Sequence, residues 1–184
     1  MNLPNRLTLL RVLMIPIFAV IAAFPSFWTQ FAAAWVFGLA CLTDLLDGHI
    51  ARTRNLVTNF GKFVDPIADK LLVMSAFVVL VGDGRMPAWV CILLLAREFA
   101  ISGFRLVCAD GGKVIAAGLL GKIKTVTQMV AVLMLLVLVP LRGAPLLGRF
   151  GVVLSQIAMY VSLFFTIWSG ADYIAKNYAF IREK

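Results

Sequence analysis

Histidine occurs once in the 184 residues, at His49, and cysteine three times, at Cys41, Cys91 and Cys108. A lone histidine leaves no basis for an imidazole metal site or a nucleophile–histidine relay. Three cysteines, an odd number without metal-ligand spacing, argue against a disulfide framework and are expected to be small, reduced apolar residues. Charge is scarce too: 14% of the residues are Asp, Glu, Lys or Arg, against about 25% in soluble domains. Linkers, internal repeats and low-complexity segments are missing, so residues 1–184 are expected to form one domain.

What is present is apolar. Hydrophobic residues make up 62% of the chain and its mean hydropathy is +0.97. Apolar stretches of roughly 17–25 residues, the length that crosses a bilayer, recur along it. The expected fold is therefore an all-α integral membrane protein with six transmembrane helices, at roughly 8–25, 31–52, 62–82, 87–108, 116–140 and 150–174. Residues 2–7 are expected to add a short N-terminal interfacial helix. The run "MNLPNRLTLLRVLMIPIFAVIAAF" is too long for a signal-peptide core and lacks a small-x-small cleavage pattern, so it is expected to stay as a span. Breakers such as "FPSFW", "GDGRMP", "ADGGK" and "PLRGAPLLG" separate the runs.

The few charges are distributed unevenly. With six spans, only Arg85, Arg142 and Arg149 fall on one side, and the other fourteen of the 17 lysines and arginines fall on the side of both termini. The positive-inside rule then makes that side cytoplasmic, in a cell inner membrane. The net charge of +8 describes one face, suited to anionic membrane lipids and phosphorylated substrates rather than to nucleic acid.

Four of the nine acidic residues lie between positions 44 and 69: Asp44, Asp47, Asp65 and Asp69. At about 100° per residue, Asp44, Asp47, Gly48 and Ala51 fall within one helical arc of about 100°. Asp65 and Asp69 are four apart and share a face with Gly61. Two consecutive antiparallel helices would then aim four carboxylates at one another near the membrane surface. Ionisable groups within spans are costly and mark function. Salt bridges to Arg52, Lys62 and Lys70 would be the bland alternative, but it gives no reason for small residues at 48 and 51. A divalent ion answers the repulsion better, and all-oxygen ligands favour Mg2+ or Mn2+. Two ions about 3.5–4 Å apart would suit a phosphoryl substrate. Gly48, Ala51 and Gly61 would let a nucleotide lie against the backbone, unless they serve helix packing. Arg52 offers a forked donor to phosphate.

The pattern Asp44-x2-Asp47-Gly48-x2-Ala51-Arg52-x8-Gly61-x3-Asp65-x3-Asp69 resembles, at every position, the signature of the CDP-alcohol phosphatidyltransferases. The segments "NLPNRLTLLRVLMIPIF", "AREFAISGFR" and "GKIKTVTQ" resemble the bacterial phosphatidylglycerophosphate synthases within that family. The resemblance implies transfer of a phosphatidyl group from CDP-diacylglycerol to an alcohol with release of CMP, six spans and a homodimer. It further implies that Asp44, Asp47 and Asp65 ligate the metals, with Asp69 ligating or adjoining one of them and serving as general base. Gly48, Ala51, Arg52 and Gly61 match the nucleotide-binding positions.

If the acceptor is sn-glycerol 3-phosphate, its phosphate needs cations near the aspartates. Arg97 and Arg105 are eight residues apart and so lie about 80° apart on one helix. Lys122 and Lys124 follow the next cytoplasmic connection, and Glu98 is placed to orient or neutralise one of these cations. Snorkelling to anionic headgroups is the competing use of all four. Asn5, Thr8 and Arg11 are within reach of the same polar region. Spacing alone does not distinguish glycerol phosphate from inositol phosphate; the resemblance of 96–105 and 121–128 does. A cardiolipin synthase using phosphatidylglycerol is the nearest alternative, and a neutral headgroup would not require a phosphate pocket. A small cation transporter would want charges at mid-membrane on several spans. A membrane anchor for partner proteins would want soluble segments.

Overall fold

The computed structural model describes residues 3–24, 26–53, 59–110, 118–143 and 147–182. Six α-helices account for nearly all of them: α1 Leu3–Ala22, α2 Phe27–Thr53, α3 Asn59–Gly82, α4 Ala88–Asp110, α5 Leu119–Leu138 and α6 Leu147–Arg182. A single 3-10 turn, Pro140–Gly143, follows α5. All six expected helices form, with ends within a few residues of the apolar runs except for α6, which continues well past its run.

The expectation of six membrane spans is not met. Among the described residues, three helical segments are long and apolar enough to cross a membrane: Asn5–Ala22, Leu119–Leu138 and Gly148–Asn177. The remaining helices carry polar groups of the site or of the bundle's opposite end, which dilute their apolar runs. Thr29, Gln30, Thr43 and Asp44 interrupt α2; Asp65, Asp69 and Lys70 open α3; Arg97, Glu98 and Arg105 lie within α4. The short N-terminal interfacial helix is also corrected. Residues from Leu3 onward belong to one unbroken helix ending at Ala22.

Packing follows the pattern of apolar faces. α1 lies against α2 and α3, α5 lies along α6 and touches α2, and α4 leans on α6. The shared core includes Phe18, Phe37, Leu72, Phe77, Leu80, Leu94, Leu135 and Met159. Phe18 and Phe37 meet with ring centroids 5.7 Å apart. Large apolar side chains such as Leu13, Val20, Trp35, Val78, Ile92 and Phe150 remain exposed on the outside. A surface so apolar suits lipid rather than water.

One end of the bundle is tied by a polar cluster far from the aspartates. The buried Gln30 donates to the carbonyls of Ala22 (2.8 Å) and Phe24 (2.9 Å), satisfying groups that the end of α1 leaves open. Arg85 donates to Gln30 Oε1 at 2.9 Å, and Gln156 of α6 donates to the Arg85 carbonyl at 3.1 Å. The turn that delivers Arg85 bends at Gly84, whose φ of +68° favours glycine. With this end fixed, the other ends of α2 and α3 meet α1.

Candidate active site

Thr8 and Arg11 are three apart on α1, so they share a face. That face turns toward the carboxylates of α2 and α3. Arg11 is fully buried, an arrangement tolerated only when its charge is compensated. Its Nη1 lies 3.0 Å from Asp44 Oδ1 and also donates to Asp69 Oδ1. Thr8 Oγ1 donates to Asp65 Oδ1 at 2.6 Å. Three of the four aspartates are thus gathered around α1, and Asn5, one turn before Thr8, is buried as well. Gly61 is buried at the start of α3. Asp47, Gly48, Ala51 and Arg52 belong to α2, but their surroundings lie outside the described residues.

The protein therefore supplies its own cation to this cluster, and it is Arg11 rather than Lys70. Lys70 donates to Ser102 of α4 instead. The side chains of Arg52 and Lys62 lie outside the described residues. Because one guanidinium nitrogen bonds oxygens of both Asp44 and Asp69, those oxygens converge on a single point of positive charge. The donors are hard oxygens, a chemistry that fits Mg2+ or Mn2+. Among the described residues, however, no three acidic, histidine or cysteine side chains are gathered closely enough to form a metal site.

A cavity of about 270 Å³ opens beside the cluster. Asp44 and Asp69 line it together with Lys70, Arg97, Arg105 and Lys124. Glu98 and Ser102 stand among these cations. Of the four residues expected to hold the acceptor phosphate, three face this space; Lys122 is exposed and does not line it.

The three are not equivalent. Each nitrogen of the Arg97 guanidinium is already engaged: Nε donates to the Thr166 carbonyl (3.0 Å), Nη2 to Ser169 Oγ (2.7 Å) and Nη1 to Glu98 Oε1 (3.4 Å). A Cβ at Gly170 would lie 3.2 Å from both Cγ and Nε of Arg97, so the glycine is what lets this side chain lie on α6. Arg97 ties α4 to α6. Lys124 is buried and donates to the same Glu98 oxygen, so Glu98 holds two cations from two helices. Gln128, one turn along α5, donates to Thr166 Oγ1 at 3.0 Å and extends the network to α6. Arg105 is exposed on its helix and lies against Tyr173 of α6.

Several of these residues carried a weak signal in the sequence or none. Ser102, Thr166 and Ser169 are single hydroxyls in apolar helices, easily taken for neutral filler. Lys70 was legible as a possible carboxylate partner, not as part of a cavity wall. Tyr173 had no distinguishing mark. Cys41, Cys91 and Cys108 are free and buried, as expected.

The motif residues and the cavity can be set beside known proteins. The CDP-alcohol phosphatidyltransferase family pattern matches residues 1–168. The CDP-diacylglycerol–glycerol-3-phosphate 3-phosphatidyltransferase of Bacillus subtilis (strain 168) is 45% identical over 190 aligned positions, which cover 96% of this chain and 95% of that protein. The probable phosphatidylglycerophosphate synthase of Mycobacterium tuberculosis (strain ATCC 25618 / H37Rv) is 42% identical over 179 positions, covering 95% and 81% respectively. The Rickettsia prowazekii (strain Madrid E) CDP-diacylglycerol–glycerol-3-phosphate 3-phosphatidyltransferase is 38% identical over 172 positions, covering 94% and 93%. With a match over most of its length and relatives of this similarity, the chain belongs to the CDP-alcohol phosphatidyltransferase family.

Proposed function

We propose that the protein transfers the phosphatidyl group of CDP-diacylglycerol to sn-glycerol 3-phosphate, giving phosphatidylglycerophosphate and CMP. The observation that carries this is one cavity lined both by Asp44 and Asp69 and by Lys70, Arg105 and Lys124. Carboxylates can handle the reacting hydroxyl and its proton, while cations receive an acceptor that is itself phosphorylated. The names borne by the relatives agree with that division. A neutral glycerol headgroup, as in phosphatidylglycerol, gives no reason for three cations to line this cavity.

In this mechanism a free hydroxyl of the acceptor attacks the β-phosphorus in line. The new P–O bond forms as the bond to CMP breaks. Asp69 takes the hydroxyl proton. Arg11 holds Asp69 and Asp44 toward each other, so the base does not swing out of the cavity. Gly48, Ala51, Arg52 and Gly61 are assigned to the nucleotide, Arg105 and Lys124 to the acceptor phosphate. Arg97 keeps the α4 wall in place. Asp44, Asp47, Asp65 and Asp69 are the groups that would hold Mg2+ or Mn2+, which would neutralise charge developing on the diphosphate.

The enzyme works in a bacterial membrane. We place the charged end of the bundle at the cytoplasmic face, where nucleotide and glycerol phosphate arrive from water while acyl chains stay in lipid. A homodimer, implied by the family, completes the proposal. The test is CMP release by purified protein given CDP-diacylglycerol and glycerol 3-phosphate, glycerol, inositol phosphate or phosphatidylglycerol in competition. Glycerol 3-phosphate should dominate; preference for any of the others overturns the assignment of the acceptor.

A further inference from the structure

Arg105 differs from every other cation around the cavity in how it is held. It lies on an exposed part of α4, where an arginine would ordinarily sample many rotamers, yet its guanidinium carbon stands 5.0 Å from the centroid of the Tyr173 ring. Its Nε also donates to the Tyr173 hydroxyl at 3.3 Å. Tyr173 itself is fixed: it is buried, and Phe104 packs against it edge-on, with centroids 5.8 Å apart and planes at 84°. One side of the guanidinium and its Nε are thus both taken up by one residue of α6. The two terminal nitrogens make no bond to any described residue, and the side chain lines the cavity. Arg97, by contrast, has all three nitrogens engaged by Thr166, Ser169 and Glu98.

We propose that Tyr173 is a positioning residue for the phosphate of the acceptor and acts through Arg105. The ring holds the guanidinium plane and the hydroxyl holds its inner edge, so the outer edge is presented as a two-pronged donor. A phosphate monoester matches such a fork with two parallel charged hydrogen bonds. Because the fork is set before the ligand arrives, less rotamer freedom is lost on binding. This rests on the assignment of a phosphorylated acceptor made above. It adds that selection of that acceptor depends on an aromatic residue of α6 lying outside the aspartate motif.

The experiment measures KM and kcat for both substrates in wild type, Tyr173→Phe, Tyr173→Leu, Arg105→Ala and the double variant Arg105→Ala/Tyr173→Leu. Loss of one cation–π contact and one hydrogen bond is expected to raise the KM for glycerol 3-phosphate about tenfold in Tyr173→Leu. The KM for CDP-diacylglycerol and kcat should stay near wild type, the mark of lost ground-state binding. Tyr173→Phe keeps the ring and should fall between wild type and Tyr173→Leu. The double variant should be no worse than Arg105→Ala alone, because Tyr173 has nothing left to position. If the leucine variant does not fold, the same comparison is made with Tyr173→Phe and its double variant. Independent, multiplying effects of the two substitutions overturn the proposal, as does an equal rise in both KM values or no rise at all. Wild-type protein that does not use glycerol 3-phosphate overturns the acceptor assignment itself, a result the wild-type measurement shows before any variant is compared.

Discussion

Arg11→Ala removes the buried cation that, among the described residues, bonds both Asp44 and Asp69. The variant leaves two carboxylates converging on an emptied space, with Asp65 one turn away on α3. Breaking a buried ion pair by deleting one partner costs roughly 3–5 kcal/mol. Here the discount for solvent matters: Arg11 is 0% exposed, but the Asp44 and Asp69 side chains are 25% and 39% exposed. Water screens part of the remaining repulsion, so the lower end, about 3 kcal/mol, is the appropriate figure. For a chain of this length that corresponds to a fall in melting temperature of roughly 6–12 °C. The assay is thermal unfolding in detergent with a chelator, repeated with Mg2+ or Mn2+. Since a divalent ion would supply the missing positive charge, added metal should raise the melting temperature of the variant more than that of wild type. A variant that melts with wild type in chelator, or gains no more than wild type from metal, refutes the role given to Arg11.

Asp69→Asn should retain CDP-diacylglycerol binding by calorimetry while CMP release falls at least ~10²-fold, the low end for losing a general base. Loss of binding as severe as in Asp44→Asn would make Asp69 chiefly a ligand. Arg105→Ala should raise the KM for the acceptor by on the order of tenfold or more and leave that for CDP-diacylglycerol little changed, since a charged hydrogen bond is worth roughly 1.5–3 kcal/mol. Gly170→Ala places a methyl 3.2 Å from Arg97 Cγ and Nε. Overpacking of roughly 1–3 kcal/mol should lower the melting temperature by several degrees, and an unchanged melting curve would show that α6 yields easily at that point.

The helices were legible because long apolar runs bounded by Pro and Gly clusters leave few alternatives. Their number as membrane spans was not, because the site draws its carboxylates and cations from α2, α3 and α4 and so lowers the hydropathy of those helices. The end of α6 was hidden for a related reason. Residues after about 174 turn polar, which ends the apolar signal, yet the helix continues to Arg182 with Lys176 paired to Asp172 at 2.8 Å. Helical spacing places Asp44, Asp65 and Asp69 toward one another, and Asp44 and Asp69 do converge on Arg11, but with Asp65 they form no group close enough to hold a metal among the described residues. The sequence also places Asn5, Thr8 and Arg11 within reach of this region, and Arg11 and Thr8 do bond the aspartates there. That Arg11 is the buried ion-pair partner was not legible, because nothing local distinguishes a buried arginine from one that snorkels outward. Arg97 shows the converse. Spacing puts it on the cavity side with Arg105, but only the packing of Gly170 reveals that it is spent on α6. Tyr173 could not be singled out, because its role depends on a residue 68 positions away.

Acceptor and bond formation can be tested together with a single labelled substrate. Purified protein is given CDP-diacylglycerol, Mg2+ and sn-glycerol 3-phosphate carrying heavy oxygen in its free primary hydroxyl, and both products are examined by mass spectrometry. Attack of that hydroxyl on the β-phosphorus, with Asp69 taking the proton, predicts phosphatidylglycerophosphate that retains the heavy oxygen and CMP that carries none. No lipid product from glycerol 3-phosphate, or heavy oxygen recovered in CMP, contradicts it.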